Sequence, residues 1–201
     1  VPHGPRGRLE WGAAPQIVAV LLLAVMPVTF VAKRGAVALA ETPQAMRDRY
    51  LEHWQLGRFV ARFYDEGPIV INDVGAMAFF TNAQVLDMYG LASREPLRFA
   101  RQPGGYTSAD LTRWAKERGA KIAILQVGWE EVVKKIPDSW TEVGRWEIPG
   151  NVAFPEDTVT AFYAVDPAER GRLAESLRRF APEIPHAVRQ RGAYTQELRL
   201  E

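Results

Sequence analysis

The chain has 201 residues, 47% of them apolar and 24% charged, with a formal charge of +1. This length suits one ordinary domain plus appendages, and the composition buries a core and excludes a disordered chain. The near-neutral balance argues against a dedicated nucleic-acid binder, and the lack of cysteine excludes disulfides, thiolate metal sites and cysteine nucleophiles.

Residues 1–12 read as a flanking loop. Residues 13–32, AAPQIVAVLLLAVMPVTFVA, carry no charge and only Gln16 and Thr29 as polar side chains. A helix of about 20 residues spans about 30 Å, the thickness of a bilayer's hydrocarbon core. The stretch therefore predicts a transmembrane helix, with the lipid bilayer as its partner. Pro27 kinks such a helix, which membranes tolerate, and Trp11 suits the interface. Two other readings fit. A signal peptide would use Arg6 and Arg8 as its charged start and Val37-Ala38-Leu39-Ala40 as its cleavage site. A buried core helix is the other. Arg6 and Arg8 on one flank balance Lys33 and Arg34 on the other, so charge does not orient the helix.

Thr42-Pro43 has the form of a helix start. Met46, Tyr50 and Trp54 follow at four-residue spacing, then Leu56, Phe59, Val60 and Phe63, until Gly67-Pro68 stops the run. This predicts an amphipathic helix over 43–65, in a connecting segment 41–66. Asp48, Glu52 and Asp65 partly match its arginines, which favours packing on a sheet over lying on a bilayer.

A soluble α/β domain is expected over 67–180. Residues 68–72 are apolar and β-branched and predict a buried strand. Asp73-Val74-Gly75 opens a short helix through Met77, Phe79 and Phe80, and 84–88 form a second strand. Residues 93–106 read as a loop. Thr107 and Asp110 have capping-box spacing and start a helix over 107–118. A continuous apolar strand follows at 121–127. Glu130, Glu131, Lys134 and Lys135 form i,i+4 pairs on a solvated face. Residues 141–148 and 158–165 predict antiparallel partners, and Pro167 starts a helix to 180 with Leu173, Leu177 and Phe180 inward. Residues 181–201 read as a frayed tail. The expected fold is a small layered α/β domain with a mixed, mostly parallel sheet, behind one membrane helix.

Catalytic templates are missing. His3, His53 and His186 lie in separate segments, and the chain has no HExxH, GxSxG, GxxxxGK[ST] or GxGxxG. No catalytic residue, metal site or cofactor is expected. Three ligand-binding candidates remain. Asp73 follows the carboxyl end of a buried strand, where open α/β sheets place ligands, yet a helix cap alone explains it. Asp87 ends the next strand before a glycine turn, where a structural hydrogen bond to the loop is the plainer role. Tyr106, after Pro103-Gly104-Gly105, is a candidate contact on a mobile loop. The two aspartates are candidates to converge at one sheet edge. Trp129, Trp140 and Trp146 read as core or as a sugar-stacking platform.

The run Ile69-Val70-Ile71-Asn72-Asp73-Val74-Gly75-Ala76-Met77-Ala78-Phe79-Phe80, then Val85-Leu86-Asp87-Met88-Tyr89-Gly90-Leu91-Ala92, resembles the carboxyl-terminal soluble domain of bacterial polytopic glycosyltransferases of the protein-mannosyltransferase and lipid-A-sugar-transferase type. The strand ending near Gly128-Trp129 and the preceding membrane helix also fit, so the resemblance covers about residues 13–165. It implies an extracytoplasmic accessory portion of an enzyme that uses a polyprenyl-phosphate sugar donor. The enzyme's catalytic acids would lie between upstream membrane helices that this chain does not contain. The alternative is a single-pass, membrane-tethered binding module for a glycan or envelope component. A third is an independent enzyme with a cleaved signal.

Overall fold

A computed structural model describes residues 14–153 and 158–195. The flanking loop at 1–12 and the last residues of the expected tail lie outside the described residues. The chain divides into two units, Val1–Pro43 and Gln44–Glu201.

Helix α1 runs Ala14–Arg49 and contains both Pro27 and Pro43. The helix start expected at Thr42-Pro43 is therefore corrected. The Thr42 hydroxyl donates back to the Ala38 carbonyl, inside the helix, rather than accepting a forward N–H as a cap. Residues 35–41 include alanine, leucine and glutamate, good helix formers that give the chain no reason to leave the helix. Within the first unit the apolar stretch is exposed, with Leu23, Met26 and Val28 among its solvent-facing side chains. The expectation of a buried core helix fails on that observation. The helix is long and apolar enough to cross a membrane.

In the second unit α1 passes into a π-helical turn, Tyr50–Trp54, and then α2, Gln55–Phe63. These segments bury Leu51, Leu56, Phe59 and Val60, so the expected connecting segment is part of the domain itself. The remaining elements are β1 (Pro68–Ile71), α3 (Gly75–Phe80), β2 (Gln84–Asp87), α4 (Arg94–Ala100), α5 (Ser108–Glu117), β3 (Ile122–Gln126), α6 (Glu130–Val133), β4 (Thr141–Glu147), β5 (Val159–Ala164), α7 (Arg170–Phe180) and β6 (Arg189–Gly192). The box at Thr107 forms as expected: its hydroxyl accepts from Asp110 N–H, and the Asp110 carboxylate accepts from Thr107 N–H.

The sheet order is β2-β1-β3-β5-β4-β6. β1 is parallel to β2 and β3, and the other three pairings are antiparallel. The fold is α/β with a mixed sheet, but the expected parallel majority is corrected, because β5 joins β3 antiparallel, which evens the count, and β6 adds a third antiparallel pair at the edge. The tail is corrected with it: β6 pairs with β4, and Tyr194 beyond it is buried. The loop expected over 93–106 contains α4, whose Pro96 lies in the first turn, where a missing N–H costs nothing.

Strand alternation divides the core by face. Ile69, Ile71, Ile122, Ile124 and Phe162 join α2 and α7 on one face, around Phe59. Val70, Ala123, Leu125, Ala161 and Tyr163 face α5 on the other. Trp146 belongs to the first cluster, whereas Trp140 and the partly buried Trp129 belong with the second, so the three tryptophans do not share one face of the sheet. Met77 places α3 on the first face, and Leu111 and Trp114 place α5 on the second. The β1–α3–β2 and β2–α4–α5–β3 connections thus cover opposite faces, and strand order reverses between β1 and β3. Such a reversal opens a crevice at the strands' carboxyl ends.

Candidate functional site

The crevice at the end of β1 and β3 is closed below by backbone pairing through side chains. Asn72 Nδ2 donates to the Gln126 carbonyl at 3.0 Å, and Gln126 N–H donates to Asn72 Oδ1 at 2.9 Å. Above them the π-turn delivers Glu52 and His53. Glu52 is buried and accepts from Gln126 Nε2 at 2.7 Å and from Thr160 Oγ1 at 3.2 Å. His53 lies between carboxylates, with Asp73 Oδ2 2.9 Å from Nε2 and Glu52 Oε2 3.4 Å from Nδ1. Arg49, one turn earlier, brings Nη1 to 2.7 Å from His53 Nε2 and 3.9 Å from Asp73.

A guanidinium only donates, so Nε2 either accepts from Arg49 or donates to Asp73. Charge decides between them. Two carboxylates face one guanidinium, and a protonated ring brings the group to neutrality. Burial works to lower the His53 pKa, but its hydrogen bonds to Asp73 and Glu52 and the charge of Glu52 outweigh that, and the pKa is raised to about 9. Asp73 is held below the usual carboxylate range, chiefly by its hydrogen bond to His53, against the opposing effect of burial. At neutral pH the site is an imidazolium–carboxylate pair flanked by a guanidinium.

Over this polar floor lies a groove of about 640 Å³, lined by Met46, Tyr50, Trp54 and Phe80 as well as Arg49, His53 and Asp73. Trp54 and Phe80 meet edge to face, with centroids 4.8 Å apart. Gly57 eases that wall: a Cβ there would stand 3.0 Å from Phe80 Cβ, close enough that the Phe80 side chain would have to shift by a few tenths of an ångström.

Of the three residues singled out from sequence, Asp73 alone is in this site. Its Oδ1 accepts the Gly75 N–H at 3.2 Å at the start of α3, and its Oδ2 pairs with His53. Asp87 is fully buried and spent on its own loop, accepting from Tyr89 N–H at 2.8 Å and Ala92 N–H at 2.6 Å. The two carboxylates hydrogen-bond to different groups, Asp73 to His53 and Gly75, Asp87 to Tyr89 and Ala92. Tyr106 is no mobile-loop contact. Its ring packs on Phe99 beneath Lys135 and against the second core cluster, and burial raises its phenol pKa.

Arg49, Glu52 and His53 were not visible as a site in the sequence. One signal pointed there. Glu52 stands four residues before Leu56 and eight before Val60, on the stripe that packs inward, and an acid on such a stripe demands buried partners. Among the described residues no group of histidine and acidic side chains is arranged to hold a metal ion.

No curated protein and no solved structure matches the chain. A family model described as a domain of unknown function, DUF8728, matches residues 42–165, a stretch that carries every residue of the site just described. Because that match spans more than half of the sequence, the chain belongs to this family.

Proposed function

We propose that the chain is a membrane-tethered recognition module whose groove beside Asp73 takes a glycan or a related envelope component. The observation that carries this reading is the groove itself: half-exposed aromatic walls at Trp54, Phe80 and Tyr50 over a floor of Arg49, His53 and Asp73. Aromatic faces suit the C–H face of a sugar ring, and the floor supplies donors and an acceptor for its hydroxyls. The apolar helix acts as the tether, since such a run of exposed apolar side chains is unstable in water. Resistance of the chain to alkaline extraction from membranes tests the tether, and release into the soluble fraction would reject it. For the groove, calorimetry on the full chain in neutral detergent, with polyprenyl-phosphate sugars and free glycans, is decisive. Saturable binding that weakens about tenfold or more in Asp73→Ala and Trp54→Ala is expected. A folded chain that binds none of them sinks the reading.

A second reading rests on the apolar helix standing ahead of the β1–α3–β2 unit that Asp73-Val74-Gly75-Ala76 and Val85–Leu91 build. In it the domain is the extracytoplasmic accessory portion of a glycosyltransferase with a polyprenyl-phosphate sugar donor, and catalysis resides in upstream membrane helices. Gene sequence upstream of Val1 that encodes further membrane helices supports it. A start codon at that point rejects it.

A further inference from the structure

We infer that a second groove, between α4, the carboxyl end of α5 and the outer edge of β2, is a binding site for a phosphate group. It is separate from the Asp73 groove and does not rest on the function proposed for it. Its volume is about 380 Å³, and Arg94, Arg98 and Arg118 are among its lining residues. Arg118 forms an ion pair with Glu95, so three guanidiniums stand against one carboxylate.

Two further donors distinguish this groove from an ordinary solvated patch. Trp114 also lines it and is only 3% exposed, and its buried Nε1–H meets no acceptor among the described residues. A buried N–H without a partner is costly and rare, so its retention beside a groove marks a place for an acceptor. The second donor comes from β2, which is an edge strand. Gln84 N–H and Met88 N–H point inward to Gly67 and Ile71 carbonyls, whereas Asp87 N–H points outward and is taken by Ser93 Oγ. By the same alternation Val85 N–H turns to the open edge, on the wall of the groove.

Guanidiniums, indole and backbone N–H only donate, and the unprotonated oxygens of a phosphate only accept. The surplus of positive charge matches a phosphate dianion better than a carboxylate or a neutral hydroxyl compound. The phosphate belongs to a soluble phosphorylated compound or to a lipid headgroup, and the chemistry of the groove is the same for both.

The test uses the full chain with 15N-labelled tryptophan in neutral detergent, followed through its indole N–H resonances, with Trp114→Phe identifying that of Trp114. Inorganic phosphate added at constant ionic strength is expected to move the Trp114 resonance saturably, with affinity falling about tenfold in each of Arg94→Gln and Arg98→Gln. Both arginines are exposed, so these variants keep the fold. A Trp114 resonance that stays still, that moves equally with chloride, or that moves unchanged in the double variant overturns the proposal. A second arm places the chain in nanodiscs of phosphatidylcholine alone or with phosphatidic acid, whose headgroup is a phosphomonoester. A shift present with the anionic lipid before phosphate is added identifies a headgroup as the source. A shift that appears only on adding phosphate identifies a soluble compound.

Discussion

His53 gathers its neighbours from separate segments: Glu52 beside it, Arg49 one turn before, and Asp73 from the end of β1. Its pKa is raised from 6.5 to about 9, so its contribution to stability is complete below pH 6.5 and is lost as pH rises through 9. Asp73 has the opposite sign. Its lowered pKa gives stability that is present above the ordinary carboxylate range and lost as pH falls through the lowered value. The pair therefore contributes fully only between about pH 4 and about pH 6.5. Denaturant unfolding at about pH 6 and about pH 9.5 is expected to differ by up to ~3 kcal/mol, the upper limit set by the shift at His53. His53→Gln should flatten that alkaline slope. A wild-type curve that is level over the same range rejects the imidazolium.

At the scale of elements, β6 is held by a close approach rather than by apolar side chains. Gly192 has φ +135°, and a Cβ there would meet the Val143 carbonyl and stand 2.7 Å from Gly144 Cα. Both obstacles are backbone and cannot swing aside. Gly192→Ala is therefore expected to cost about 2–4 kcal/mol and to lower the melting temperature, read by circular dichroism. It also loosens Tyr194, which covers Gly144 and accepts the Trp146 indole N–H at 3.2 Å. Strands β1 to β5 and the inward faces of α5 and α7 were legible in the sequence, because a buried strand or stripe must show its period. β6 was not. Arg189-Gln190-Arg191-Gly192 needs only its backbone to pair at an edge and shows no apolar alternation. The site was half legible: Asp73 is marked by its place after a strand, whereas His53 reaches it across 20 positions and through a π-turn that no spacing rule anticipates.

For the whole molecule, both core clusters lie within residues 51–194, inside the second unit, and none of their side chains comes from the apolar stretch. A chain beginning at Gln44 is expected to unfold cooperatively in urea without detergent and to elute as a discrete species on size exclusion. A chain that aggregates or melts without a transition would show that the apolar helix is part of the fold. The two halves of the sheet also differ in how far apart in sequence their contacts lie. β4 and β5 are neighbours joined by one connection, whereas the bonds that complete the Asp73 site join Asn72 to Gln126 across 54 positions and Glu52 to Thr160 across 108. Distant contacts close late, because their loops must lose entropy before any bond forms. The antiparallel half is thus able to assemble while the crevice is still open chain, so the ligand binding proposed at Asp73 would report finished folding: intermediates that already contain the β4–β5 hairpin are expected not to bind.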